Sequence, residues 1–283
     1  MTTVPQPTSG DAREARGNTY VCGYTPASIQ IMASRTADMH ARFLLPYLRP
    51  GMRLVDLGCG PGSITVGFAK IVAPGEVVGV DIESTQIGLA SAHALDQRVA
   101  NARFEVGDVR DLSFPDSAVD VVFGHTILMQ FQDPIPVLRE VSRILKPGGL
   151  AGFREPCFAH NLSEPPDSAQ DRLWKLFGRV LAHNGGDIDI GLRLGALLRS
   201  TGFGALAMSA SFSGAWTPEA NLDTCERNAR LCEEAGFMKQ AIALGLIGPD
   251  VAATMATALR GEARDPVVFF ATAWREIVGW KPA

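Results

Sequence analysis

The stretch that decides the fold is Val55-Asp56-Leu57-Gly58-Cys59-Gly60-Pro61-Gly62-Ser63. A short, mostly apolar strand runs into three glycines with the spacing GxGxG, and a helical stretch begins at Ser63. Glycines let a ligand approach the backbone closely, and the N-terminus of the following helix presents unpaired N–H groups. We therefore predict a ligand-binding loop between a strand and a helix.

The spacing and charge of this loop indicate the kind of ligand. Nicotinamide enzymes of the doubly wound type carry GxGxxG, with the pyrophosphate resting on the helix N-terminus. Here Ser63 stands where the third glycine would be, and Asp56 places a negative charge where a pyrophosphate would be repelled. The loop favours a ligand that carries positive charge, and a nicotinamide-dependent dehydrogenase is the less favoured alternative.

From about residue 50 the chain alternates short apolar stretches with amphipathic ones, which is typical of a parallel sheet with helices on both faces. The predicted strands cover residues 53–57, 77–81, 102–106, 119–124, 150–154, 205–212 and 267–278. Long helices are predicted over 63–72, 84–99, 135–145, 169–181, 192–200 and 221–264. We expect residues 1–45 to form an N-terminal helical lid on a core of residues 46–283, with cap insertions at about 156–190 and 217–264.

Acidic residues lie at or near the carboxyl ends of the first three predicted strands. Asp81 ends the second strand, 23 residues beyond Gly58, and a carboxylate at that position can accept both hydroxyls of a ribose. Asp108 follows the third strand and could accept an exocyclic amine, while Ile82 and Val109 flank a flat ring. Each acid could instead cap the next helix or turn. Together with Asp56, however, they predict one joint site at the edge of the sheet.

Four segments carry a resemblance to a known family. VDLGCGPGS at 55–63, VGVDIE at 78–83, VGDVRDL at 106–112 and HTILMQFQDPIPVLREVSRILKPGG at 125–149 resemble the successive motifs of class I S-adenosylmethionine-dependent methyltransferases of the UbiE/COQ5-like kind. The likeness is strong over residues 50–155 and weaker at 20–24, 35–37 and 190–194.

The resemblance implies a fold, a cofactor and roles for the site residues. The fold would be an α/β, Rossmann-like, mostly parallel seven-stranded sheet of order 3-2-1-4-5-7-6, with helices on both faces and a helical cap. S-adenosylmethionine would be the cofactor, and its sulfonium and ammonium agree with the positive ligand inferred above. Its methionine part would lie on the loop, its ribose on Asp81 and its adenine on Asp108 and Val109. The full set of predicted cofactor contacts is Tyr24, Asp56, Gly58, Cys59, Gly60, Gly62, Asp81, Ile82, Asp108, Val109 and His125.

Three residues are candidates for catalysis. His125 follows the fourth strand, where it could act as a base or could pack on the cofactor and bond to backbone. Glu155 ends the fifth strand and could be a base, an acceptor for a substrate amine, or a partner of Arg154 or of a helix end. Tyr20 matches a lid residue of the resembling family, although Tyr20 and Tyr24 could equally anchor an N-terminal helix.

Composition excludes several classes of partner. The chain has 283 residues and a formal net charge of −4, so a basic nucleic-acid-binding surface is not expected. No apolar run approaches the ~20 residues of a membrane helix, and residues 1–17 lack the apolar core of a secretory signal. The five scattered cysteines and five dispersed histidines have no metal-ligand spacing. We expect a cytoplasmic protein without metal, nucleic-acid or membrane partners; a homodimer stays open.

These observations converge on one functional prediction. The chain is expected to transfer a methyl group from S-adenosylmethionine to carbon, nitrogen or oxygen of a small molecule, such as an aromatic, quinone-like or heterocyclic compound of specialised metabolism. The alternative from another class is a protein of the same fold that binds the cofactor without methyl transfer, either a binding module or a cyclase.

Overall fold

The computed structural model describes residues 20–234 and 236–283. The first part of the predicted lid, residues 1–19, therefore lies outside the described residues, and so does the polar N-terminal segment used in the localisation argument. The described chain opens with two short helices, α1 (Pro26–Ala33) and α2 (Ala37–His40), and a 3₁₀ turn at Leu45–Tyr47.

The first half of the core alternates strands and helices as the sequence predicts. Its elements are β1 (Leu54–Leu57), α3 (Ser63–Val72), β2 (Val77–Asp81), α4 (Ser84–Asp96), β3 (Ala102–Val106), β4 (Val119–His125), α5 (Ile135–Ile144) and β5 (Leu145–Pro156). In α5 the buried residues Val137, Leu138, Val141 and Ile144 recur at helical spacing, so this helix presents one apolar face to the sheet.

The second half inserts helices between the last strands. It consists of β6 (Leu162–Glu164), α6 (Ala169–His183), α7 (Leu194–Ser200), β7 (Leu206–Gly214), α8 (Pro218–Glu234), α9 (Gly236–Ala243), α10 (Val251–Glu262) and β8 (Phe269–Trp280). Three-residue 3₁₀ turns lie at Leu128–Gln130, Phe158–His160 and Ile190–Leu192.

The strands form one mixed sheet. Its order is β3-β2-β1-β4-β5-β8, with β7 paired to β8, and β1 to β5 run parallel while β8 is antiparallel to its neighbours. This is the predicted order 3-2-1-4-5-7-6, because β8 and β7 here are the seventh and sixth strands of that pattern. Ala271 of β8 pairs with both Leu162 and Gly214, so the short strand β6 is an addition on the β5 side of β8.

Some predicted boundaries differ from the structure. The stretch 221–264 was predicted as continuous helix, but it contains three helices, with a turn after α9 in which Gly245 adopts a φ of +65°. Strand β5 extends to Pro156 because β8 pairs with it from Leu150 to Pro156, beyond the apolar residues that mark it in the sequence. The last strand begins at Phe269 and ends at Trp280, two residues later than predicted at each end.

Alternation along the strands assigns residues to two faces of the sheet. One face carries Val55, Leu57, Val78 and Val122 and belongs to the larger apolar core with α5 and α7. The other face carries Leu54, Val77, Val121 and Phe123 and packs against α2 and α3. By the same alternation Asp56, Asp81 and His125 lie on this second face, at the carboxyl end of their strands.

The inserted helices pack on one another rather than singly. Helix α10 contacts α8 and α6, and α9 contacts α6. Helix α8 also reaches the N-terminal segment, where the Ala27 N–H donates to Glu234 Oε2 at 3.2 Å. The division into lid, core and cap stays a prediction. Within the described residues no helix is long and apolar enough to cross a membrane.

Candidate cofactor and active site

The glycine loop after β1 has the backbone conformation that its sequence suggests. Gly58, Gly60 and Gly62 have φ values of +64°, +53° and +77°, a region in which side chains other than glycine are strained. The Cys59 N–H donates to the carbonyl of Val80 at 3.1 Å, which ties the loop to β2, and α3 begins directly after Gly62.

A cavity of about 290 Å³ opens at the carboxyl ends of β1, β2 and β4. Its walls come from the N-terminal segment, the glycine loop, the ends of β2 and β3, and the segment after β4. A smaller adjoining cavity of about 20 Å³ lies beside Asp56, and Met32, Arg35, Gly58, Gly60 and His125 border both.

Most residues predicted for the site line these two cavities. The lining includes Tyr20, Tyr24, Asp56, Gly58, Cys59, Gly60, Asp81, Ile82, Asp108, Val109 and His125. Gly62 and Glu155 line neither cavity. The fold therefore brings the predicted site residues together, with the exception of Gly62 and Glu155.

Gly62 has a packing position instead of a ligand-facing one. A Cβ at this position would lie 2.8 Å from Cβ of Ala90 and 3.0 Å from Cε1 of Phe104. The third glycine of the loop thus allows α3 to approach α4 and β3, and this geometry supports a packing role rather than the predicted cofactor contact.

Asp81 joins the loop to the end of β2. Its Oδ2 accepts the N–H of Gly60 at 2.9 Å, and its Oδ1 accepts the N–H of Glu83 at 2.9 Å. These two bonds fix the orientation of the Asp81 carboxylate, which lines the cavity. Glu83, which the sequence reasoning did not single out, also lines the cavity.

Asp108 forms an ion pair at the rim of the cavity. The Arg110 guanidinium contacts both carboxylate oxygens, with Nη2 2.7 Å from Oδ2 and Nε 2.9 Å from Oδ1. The same guanidinium lies 5.6 Å from the ring centre of Phe131, also in the lining. Arg110 and Phe131 were missed because an arginine in a turn and a phenylalanine in an apolar segment have no distinctive spacing.

Opposite charges flank the small cavity. Burial raises the pKa of Asp56 to about 7; the Thr65 hydroxyl, which donates to Oδ2 at 2.6 Å, limits the rise, and Asp81 adds to it. No hydrogen bond from the described part of the chain reaches Oδ1 of Asp56. Across the cavity, Nη1 of Arg35 lies 3.4 Å from the Thr126 hydroxyl. Arg35 precedes Asp56 by 21 residues in sequence, so only the fold brings both to this cavity.

The two tyrosines of the N-terminal segment stack on each other over the cavity. The ring centres of Tyr20 and Tyr24 are 5.3 Å apart, with an interplanar angle of 27°. Burial raises the pKa of the Tyr20 hydroxyl above its usual range, so this group stays protonated and can donate a hydrogen bond. Burial also raises the pKa of Cys22 to about 12, which keeps its thiol protonated.

His125 is a buried, neutral imidazole with a defined tautomer. Burial lowers its pKa well below the usual value, and Arg35, Arg154 and His40 lower it further. Its Nδ1 lies 3.1 Å from the carbonyl oxygen of Arg154, and because a carbonyl only accepts, Nδ1 carries the proton. Nε2 then holds a lone pair, and no described residue hydrogen-bonds to it. The ring borders both cavities.

Glu155 organises the segment that follows β4. Its side chain is fully buried, and its two oxygens accept the N–H groups of Ile127, Leu128 and Met129 at 3.0, 2.9 and 3.3 Å. Burial raises the pKa of Glu155 to about 8, against the opposing effect of these donors. The carboxyl group is thus occupied by three backbone donors and lines neither cavity, so this geometry does not support the predicted role of Glu155 as a catalytic base.

No cluster of metal-ligating side chains occurs within residues 20–234 and 236–283.

Comparison with known proteins identifies the core. Residues 48–185 match the family model of a methyltransferase domain. The chain is 36% identical over 172 residues to the probable methyltransferase ltbC of Aspergillus luteorubrus, covering 58% of this chain and 60% of that protein. It is 41% identical over 107 residues to the ubiquinone/menaquinone biosynthesis C-methyltransferase UbiE of Ectopseudomonas mendocina (strain ymp), covering 36% and 41%. The solved structure of the [4+2]-cyclase SpnF aligns with a TM-score of 0.54 and 22% identity over 90% of this chain and 80% of that chain.

The match over residues 48–185 and the methyltransferase relatives confirm the resemblance to class I S-adenosylmethionine-dependent methyltransferases of the UbiE-like kind. The chain spans about three fifths of the length of ltbC. The likeness to SpnF is a likeness of fold.

The cavity walls fit the methyl donor of this class. S-adenosylmethionine carries an ammonium and a carboxylate on one carbon, and the small cavity is flanked by Asp56 and Arg35. Gly60 admits the ligand because a Cβ there would have only Met32 Sδ within 4 Å, at 3.5 Å. The residues present therefore fit this cofactor.

Paired substitutions of Gly60 and Gly62 separate binding from folding. Both glycines have positive φ, so an added Cβ strains both by about 1–2 kcal/mol. Gly60→Ala should weaken binding of S-adenosylhomocysteine more than it lowers the unfolding temperature, whereas Gly62→Ala should mainly lower the unfolding temperature because of the Ala90 contact. Calorimetry and thermal unfolding on both variants check this, and equal effects would contradict it.

Cofactor affinity should depend on the ionisation of Asp56. The ionised carboxylate binds an ammonium better than the acid does, so affinity for S-adenosylhomocysteine should rise with pH through about 7, by up to tenfold per unit below that value. Asp56→Asn should flatten the profile. Because the folded-state pKa is raised, the stability that Asp56 contributes to the ligand-free protein is lost as pH rises through about 7. Wild-type affinity that is constant from pH 6 to 8.5 contradicts this assignment.

Removing Glu155 should destabilise the fold. Glu155→Ala leaves three backbone N–H groups without their acceptor and should lower the free energy of unfolding by about 3 kcal/mol or more. Glu155→Gln keeps a carbonyl acceptor and should cost about half as much. Denaturant unfolding measures both. Wild-type stability with lost turnover in the Gln variant would instead restore a catalytic role.

Proposed function

We propose that this protein transfers a methyl group from S-adenosylmethionine to a small-molecule acceptor. The observation that carries the proposal is the pair of opposite charges, Asp56 and Arg35, on one small cavity that adjoins the larger one. An amino-acid zwitterion matches this pair, whereas a pyrophosphate would face the carboxylate of Asp56. A dinucleotide-dependent dehydrogenase is correspondingly disfavoured.

The proposed cofactor contacts follow the cavity wall. Asp56 would hold the ammonium and Arg35 the carboxylate of the methionine part. Asp81 would accept the ribose hydroxyls. The adenine would lie between the apolar side chains of Ile82 and Val109, beside the ion pair formed by Asp108.

When bound, the cofactor supplies a methyl group on a sulfonium, which is displaced in line by the acceptor. The contribution of the chain is placement and exclusion of water. Tyr20, Tyr24 and His125 line the cavity and exclude water from it. For an acceptor that must lose a proton, Nε2 of His125 is the proposed proton acceptor, since it holds a lone pair in a water-poor setting.

The acceptor is proposed to be a flat, largely apolar compound, such as an aromatic, quinone-like or heterocyclic metabolite, methylated on carbon, nitrogen or oxygen. The support is the cavity lining, in which Tyr20, Tyr24 and Ile127 provide aromatic and aliphatic surface. Pockets of this kind bind small molecules through apolar contact with a few fixed polar groups.

One experiment distinguishes methyl transfer from its rival. SpnF shares the fold and is a cyclase, so the cofactor site could serve a reaction without transfer. The protein is incubated with S-adenosylmethionine labelled in the methyl group and a panel of phenols, quinones and heterocycles. Label in an acceptor with formation of S-adenosylhomocysteine supports transfer. Tight cofactor binding without transfer to any member favours the binding or cyclase alternative, and binding of a nicotinamide dinucleotide instead overturns both.

A His125 variant tests proton removal. With an identified acceptor that must be deprotonated, His125→Asn should lower kcat by ~10²–10⁴ with little change in cofactor affinity. Burial keeps the pKa of His125 well below its usual value of 6.5, so wild-type kcat should stay constant from pH 8 down to pH 6.5.

His160→Asn is the matched control, because His160 lines neither cavity and should keep turnover. If His125→Asn kept turnover within about threefold of wild type, His125 would not be the proton acceptor, and catalysis would rest on placement of the two reactants.

A further inference from the structure

Among the described residues, strand β7 forms one edge of the sheet. This nine-residue strand pairs with β8 along one side, and within the described residues no backbone hydrogen bond reaches its other side. An edge strand presents a row of unpaired N–H and C=O groups that can pair with another strand.

The opposite edge of the same sheet shows how such a strand is normally protected. Strand β3 carries Arg103 and Glu105, and Arg103 forms ion pairs with Glu105 and with Glu76. Charged side chains of this kind discourage pairing with another sheet. Strand β7 has the sequence LAMSASFSG, without an ionisable residue or a proline.

The exposed face of β7 is apolar. Met208 and Phe212 point to the same face by alternation, and their exposed fractions are 56% and 46%. On the other face Ser209 and Ser211 donate hydrogen bonds to the two carboxylate oxygens of Glu276 at 2.9 and 2.5 Å. One face of the strand is thus fixed to the sheet, and the apolar face has exposed surface left to cover.

We propose that β7 pairs antiparallel with β7 of a second copy of this chain, about a two-fold axis at Ala210. In this register Met208 lies opposite Phe212 of the second copy, and Ser209 lies opposite Ser211. Each exposed apolar side chain meets an apolar partner, and the two sheets become continuous. The strand is complementary to itself, which is what a two-fold interface requires.

The neighbouring charge is compatible with this pairing. Arg275 of β8 is paired with Ala210, and its Nη2 lies 3.5 Å from Met208 Sδ on the same face of the sheet. In the proposed register the two copies of Met208 are four residues apart along the strands, so the two guanidinium groups beside them would be roughly 14 Å apart, which exceeds the screening length at physiological salt. Their repulsion is therefore small.

Charge substitutions on Met208 and Phe212 test the register as well as the dimer. The double variant M208K/F212K places like charges opposite each other and should raise the dimer dissociation constant at least about tenfold. M208K/F212E places opposite charges in both pairs and should restore the dimer. Light scattering after gel filtration of the full chain, from about 1 to 100 µM, measures these states.

Mixing gives a second test of the same pairing. M208K/F212K and M208E/F212E should each be monomeric alone and should form a heterodimer when combined. L89K/L95K adds the same charge at exposed positions of α4 and should leave the dimer intact. Binding of S-adenosylhomocysteine by every variant confirms that the fold is kept, because the β7 edge is outside the cavity lining.

Several outcomes overturn the proposal. They are a wild-type monomer at 100 µM, a dimer that persists in M208K/F212K, or an M208K/F212E variant as monomeric as M208K/F212K. If the charged variants do not fold, hydrogen exchange on the wild type decides. The β7 amides that do not bond to β8 should become protected as concentration rises, and protection of these amides that is independent of concentration assigns the edge to another segment of the chain.

Discussion

The carboxylate of Asp81 holds the glycine loop against the end of β2, and the cavity is built around this contact. It accepts N–H groups from Gly60 and Glu83, one from each side. A carboxylate bound by two backbone donors is fixed in position, so little side-chain conformational entropy is lost when it orients a ligand. The left-handed glycines that this contact requires also open the backbone to the ligand.

Sheet alternation then decides which polar groups share a site. Asp56, Asp81 and His125 lie on one face because Asp56 pairs with Gly79 and Phe123, and Asp81 and His125 are each two residues further along β2 and β4. Burial on that face changes their ionisation in opposite senses: it raises the pKa of Asp56 to about 7 and lowers that of His125. The same sheet geometry therefore brings to one cavity the carboxyl group of Asp56, which can bind an ammonium, and the neutral imidazole of His125.

Much of the fold could be predicted because its signals are local. The GxGxG loop, the acids at the strand ends and the alternation of strands and helices are readable within a few residues, and the resemblance supplied the strand order. Glu155 shows the limit of this approach. Its position near the end of a strand suggested a catalytic base, yet its carboxyl group accepts N–H groups 26 to 28 residues away in sequence. Gly62 is similar, because its need for glycine comes from Ala90 and Phe104 rather than from a ligand.

The sequence by itself determined the family, the cofactor class, the strand order and the residues of the loop and strand ends. Only the tertiary structure decided that Arg35 and Asp56 line one cavity, that His125 is neutral with its proton on Nδ1, that Glu155 positions the segment after β4, and that β7 is an edge strand among the described residues. The physical reason is that spacing and periodicity express local backbone geometry. Burial, ionisation and hydrogen-bond partnership depend on groups that meet only after the strands have assembled.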